Sequence, residues 1–176
     1  MLEIDVALEE SYDEEAQKFV VSKSYRVKLE HSLVSASKWE SLWKEAFLGK
    51  KDKTPQQTLS YVKFMILNDE LPPDVFLKLV QNHLDEIKQY ITDEMTATKL
   101  RTDPNASQAR ETITTELIYY WMISLSIPVE FQHWHLNRLI TLIRTVNLKN
   151  TPAQNMTPAE RRALNRQRLV KYGTRG

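Results

Sequence analysis

Three features of the sequence predict a mainly α fold with a β-hairpin in front of it. Apolar and polar residues alternate from Leu2 to Leu8, and a second extended run follows from Phe19. From Trp39 to Ile143 the apolar residues recur at steps of three and four, the spacing of helix faces buried against partners. Caps and prolines rather than glycines punctuate those helices, for the 176 residues include only three glycines. The expected organisation is a hairpin over residues 1–31, about five helices over 32–150, and a basic tail over 151–176 that is helical or disordered.

Taken in order, Leu2, Ile4, Val6 and Leu8 predict a half-buried strand, the acidic 9–17 segment a turn, and 19–29 the returning strand. Such a hairpin must lie on helices or on a partner, and its first strand could be an edge open to another chain. Trp39, Leu42, Trp43, Ala46 and Phe47 then form a helical stripe, with Ser37 and Glu40 at capping-box spacing and Gly49 closing it. Thr54-Pro55-Gln56-Gln57 opens another helix, whose buried face is Leu59, Val62, Met65 and Ile66. Pro72-Pro73 restarts the chain into a helix carrying Phe76, Leu79, Val80, Leu84, Ile87 and Ile91, with a break near Asn82. Residues 92–109 are polar and read as an exposed loop.

The densest apolar stretch, 113–150, reads as a helical hairpin interrupted by Ser126-Ile127-Pro128. Ile113, Leu117, Tyr120, Trp121 and Leu125 mark one helix, and Leu136, Leu139, Ile140 and Ile143 the other. Tyr119, Tyr120 and Trp121 run round the helix rather than along one face, which puts at least one of these rings at an edge or an interface. Past a linker, Thr157-Pro158-Ala159-Glu160 starts a short basic helix.

The absence of cysteine excludes a disulfide framework, a thiolate zinc site and a thiol nucleophile. Glycines at 49, 173 and 176 alone exclude glycine-rich phosphate loops. The acidic start predicts no signal peptide, and no apolar run reaches the ~18 residues of a membrane span. His133 and His135 would diverge by about 200° on a helix, so they read as structural residues at a helix entrance rather than as metal ligands. No carboxylate pair or serine sits in a catalytic context; the reading is non-enzymatic, with no catalytic, cofactor-binding or metal residues.

Charge is polarised within a net of +1: residues 1–15 hold seven acids and no base, and 149–176 seven bases and one acid. Arg161, Arg162, Arg166, Arg168 and Lys171 would give a helical footprint for nucleic acid; the plainer reading is a solvated tail.

The blocks LEHSLVSASKWESLWKEAFLGKKDKT (29–54), DEMTAT (93–98) and ELIYYWMISLSIPVEFQHWHLNRLITLIRTVNLKN (116–150), with the closing RRALNRQRL, resemble the tail assembly chaperones of long-tailed, siphovirus-type bacteriophages. Ser124 and Ser126 stand where that family's pattern has Ala and Asn, and Lys99-Leu100 follows MTAT where an aromatic is common. The resemblance implies a non-enzymatic protein of the host bacterial cytoplasm that binds the tape measure protein and keeps it soluble. It further implies contact with the tail tube protein and with a longer, frameshifted form of the same chain, room for an oligomer, and no membrane or cofactor. An amphipathic client helix in an apolar groove would use aromatic anchors, which nominates Trp39, Trp43, Tyr119, Tyr120, Trp121 and Trp134. The alternatives are a structural virion protein of the tail or connector, and a nucleic-acid-binding regulator acting through the basic tail.

Overall fold

The computed structural model describes residues 1–14, 16–49, 51–100, 112–150, 162–163 and 165–167. It divides into two units, Met1–Val146 and Asn147–Gly176. An antiparallel hairpin, β1 (Leu2–Asp13) and β2 (Lys18–Leu29), precedes the helices α1 (Leu33–Trp43), α2 (Pro55–Met65), α3 (Pro73–Leu77), α4 (Gln81–Thr92), α5 (Thr115–Ser124) and α6 (Leu136–Asn150). The predicted hairpin-plus-helices fold is the observed one. A 3-10 turn, Val129–His133, joins α5 to α6.

The hairpin has two halves. Near its base Ile4 and Val6 of β1 and Val27 and Leu29 of β2 are buried, and α3 and α4 lie against β1. Burying each such side chain is worth about 1.5–3 kcal/mol, which anchors the ribbon. Register shifts between Ala7 and Glu10 end this half. Beyond them the strands continue to Asp13 and Lys18, exposed on both faces. The turn is therefore shorter than the 9–17 expected from composition: acidic residues in a solvated ribbon look like a loop in sequence. At the base, the outer edge of β2 is closed by the segment after α2. The Leu67 N–H donates to the Lys28 carbonyl at 2.9 Å, and the Asn68 Oδ1 accepts the Lys28 N–H at 2.8 Å.

Helix α1 starts earlier than Ser37. Ser32 is extended and caps it, accepting the Ser35 N–H, while the Ser35 hydroxyl accepts the Ser32 N–H. The helix also ends earlier, at Lys44, whose φ of 56° is left-handed. Its buried face is Leu33, Ala36, Trp39 and Glu40, so Leu42 lies exposed and Phe47 packs from the loop beyond. Helix α2 follows prediction at its start, with Thr54 and Gln57 in a reciprocal capping box and Pro55 first. Its core residues are Tyr61, Val62 and Met65, and Leu59 faces out. The break predicted near Asn82 occurs at Lys78–Val80, between α3 and α4.

In α5 the buried residues are Thr115, Ile118 and Met122, a stripe rotated from the one read in the sequence. Tyr120 is consequently outside. Ser126, with φ 53°, ends the helix ahead of Pro128. The buried side of α6 is Leu136, Leu139 and Ile143, three of the four residues expected there. Its start is tied to that of α1: the Leu136 N–H donates to the His31 carbonyl at 2.7 Å, and Ser32 bridges His135.

Candidate partner-binding site

The nominated rings fall into two groups. Trp39 is 1% exposed and belongs to the core. Its indole N–H donates to the Gln57 carbonyl at 2.9 Å, and its ring meets Phe47 edge-on at 5.4 Å. Trp43, half-buried, donates to the Ser60 hydroxyl at 2.8 Å and packs 6.4 Å from Trp39. These two indoles cement α1 to α2. Lys53 lies over the Trp39 and Phe47 rings, and its amine is held below its ordinary range first by burial. Beside it a cleft of about 250 Å³ opens between Trp39, Gly49, Lys51 and Thr112, partly neutralised by the Lys51–Glu45 pair at 2.7 Å.

The second group surrounds the corner between α5 and α6. Tyr119 is half-buried, with its hydroxyl donating to Gln132 Oε1 at 3.0 Å, which fastens α5 to the 3-10 turn. Burial, then the neighbouring Glu116, holds this phenol above its usual range. Trp121 packs partly against the core. Trp134 stacks on Phe131 at 4.0 Å and receives the Arg138 guanidinium over its face at 4.2 Å. Tyr120 is 62% exposed and Ile123, three residues on along the same helix face, is 78% exposed. No ring contact among the described residues joins Trp43 to Tyr119, Tyr120, Trp121 or Trp134. Ile123, the most exposed apolar residue on α5, was not singled out in sequence because it fits a core stripe as well as a surface one.

Between the groups sits a buried polar centre. His31 meets the Tyr61 hydroxyl through Nδ1, and the Ser35 hydroxyl lies 3.3 Å from the same phenol oxygen. The His31 and His135 rings are 4.8 Å apart, and His135 Nε2 meets the Tyr90 carbonyl at 3.0 Å. A carbonyl only accepts, so His135 carries its proton on Nε2, and its buried Nδ1 has no hydrogen-bond partner among the described residues. Burial and then His135 lower the pKa of His31 to about 3; burial also lowers that of His135. Both rings are neutral packing elements. His133, by contrast, is exposed at the end of the 3-10 turn, and an extended Trp134 separates it from buried His135, so the two part across a break in the chain rather than round a helix as expected. Among the described residues no group of three or more His, Cys, Asp or Glu is placed to hold a metal ion. No described helix is long and apolar enough to cross a membrane.

Of the basic-tail residues, Arg162 and Arg166 are helical and exposed, whereas Arg161, Arg168 and Lys171 lie outside the described residues. Compared with protein-family models, with curated proteins and with solved structures, the chain matches none.

Proposed function

We propose that this chain is a tail assembly chaperone of long-tailed bacteriophages: a non-enzymatic protein that binds the tape measure protein and keeps it soluble in the host cytoplasm during tail assembly. The observation that carries the reading is the resemblance of residues 29–54, 93–98 and 116–150 to that family. The outer face of α5 supports it physically. Tyr120 and Ile123 stand in solvent on a helix whose other side is fixed by Ile118 and Met122 in the core. A ring-bearing apolar strip of this kind suits the apolar side of a client helix.

The test is co-expression with the tape measure protein encoded beside it. The soluble fraction of that protein should rise and the two should co-purify; a client that stays insoluble and separate overturns the reading. A structural virion role is favoured by one observation, the projecting hairpin with its open strand edges. Mass spectrometry of purified particles separates the two, since a chaperone leaves the finished particle and a structural subunit is abundant in it.

A further inference from the structure

We propose that the hairpin arm joins copies of this chain head to tail, the β1 edge of one copy pairing with the β2 edge of the next. The base of the ribbon is spoken for, but the arm beyond the register shifts is not. Described residues from Glu9 to Ser24 are exposed on both faces. A two-stranded ribbon without a core is marginal in water, yet this one presents Tyr12 (54% exposed), Phe19 (72%) and Val21 (49%) on one face. Tyr12 and Phe19 lie directly opposite each other with ring centroids 5.3 Å apart, one rung of a ladder that neighbouring strands would extend.

The charges decide which edge meets which. β1 carries Glu3, Asp5, Glu9, Glu10 and Asp13 and no base; β2 carries Lys18, Lys23, Arg26 and Lys28 and no acid. Within the hairpin Arg26 grips Asp5 at 2.9 Å and Lys23 reaches Glu9 at 3.6 Å. A strand inside a sheet has two neighbours, and here each strand finds its opposite on one side only. Among the described residues Glu10 and Lys18 make no ion pair, so cross-strand pairing inside the hairpin does not account for them.

Two-fold pairing of β1 with β1 would set acids against acids, and β2 with β2 bases against bases, which is unfavourable for directly opposed strands. Only β1 against β2 alternates sign. Copies pointing the same way make that contact antiparallel, because β1 and β2 are themselves antiparallel. Such a contact uses two different surfaces, so it closes into a ring or grows as a filament rather than stopping at a dimer. The segment that closes the base of β2, Leu67 and Asn68, confines the pairing to the arm.

Light scattering on the full chain, at low and at high salt, tests this. The expected result is a mass of two or more chains at low salt that falls as salt screens the strands. Over the arm (residues 9–13 and 18–24), Glu9→Lys with Glu10→Lys makes both strands net basic, and Lys18→Glu with Lys23→Glu makes both acidic; each double variant should be monomeric. Mixed in equal amounts, they should assemble again, because each then offers the other an opposite edge. The variant with all four changes restores sign alternation, within the hairpin as well, and should assemble alone. Far-UV circular dichroism checks that the helices stay intact. A monomeric wild type at low salt, a double variant that assembles unaided, or a mixture that stays monomeric overturns the proposal. It does not depend on the client: a chain that assembles but fails to retain the tape measure protein refutes the chaperone reading alone.

Discussion

The Glu40 carboxylate caps helix α5 from across the fold: its Oε2 accepts the Thr115 N–H at 2.9 Å and the Thr115 hydroxyl at 2.5 Å. Its other oxygen accepts the Phe47 N–H at 2.7 Å. One buried acid thus satisfies three donors and places negative charge at the positive end of α5. Glu40→Ala strands those donors without water, each at about 1–3 kcal/mol, so the expected loss is at least about 3 kcal/mol. Urea unfolding measures it; a loss below about 1 kcal/mol would show that the carboxylate is dispensable.

The paired histidines predict acid sensitivity. His31 in the folded chain has its pKa lowered to about 3, and that of His135 is lowered as well, against about 6.5 when unfolded. Between those values the unfolded chain binds protons that the folded chain refuses. For His31 the stabilisation is therefore complete above about pH 6.5 and is lost as pH falls toward 3, at up to about 1.4 kcal/mol per pH unit, and His135 adds a loss in the same direction. Denaturation midpoints measured between about pH 7 and pH 5, above most carboxylate titrations, should fall steadily. A flat profile there would contradict neutral burial.

The fold class was legible because caps and periodicity agree: Thr54-Pro55-Gln56-Gln57 can start only one kind of element, and Leu2-to-Leu8 alternation only another. Burial was less legible wherever a helix is apolar all round. In α5 the side through Tyr120 and the side through Ile118 are both apolar, and the buried one is the side that carries Thr115, which Glu40 caps. Glu40 itself read as the partner of Ser37 in a capping box, since a buried carboxylate has no signature until its donors, Phe47 and Thr115, are brought to it. The long arm was hidden for the opposite reason. Its residues are polar enough to look like a loop, and its apolar side chains face solvent rather than a core.

Backbone strain at the end of α5 gives a third expectation. Ser126 holds φ 53°, a left-handed conformation that glycine and asparagine adopt more readily than serine. Ser126→Asn or Ser126→Gly should raise stability by up to about 1 kcal/mol, and Ser126→Val should lower it by about 1–2 kcal/mol. Thermal melts of the three variants decide the matter; if Val is tolerated as well as Gly, the turn is not strained.

The outer face of α5 offers the sharpest separation of stability from binding. Tyr120 and Ile123 have their side chains largely in water, so Tyr120→Ser with Ile123→Ser should alter unfolding free energy by no more than about 0.5 kcal/mol per site. If the strip anchors a client helix, removing a hot-spot ring costs about 2 kcal/mol, roughly a thirtyfold weaker complex. Trp39→Phe supplies the contrast. It removes the indole donor to Gln57 from the core, so it should lower stability by about 1 kcal/mol or more while leaving the α5 face as it is. Quantitative pull-down of the tape measure protein, with urea curves on the same preparations, reads both effects. Equal weakening by the surface pair and by the core variant would mean that binding follows stability, and α5 would lose its claim to the client.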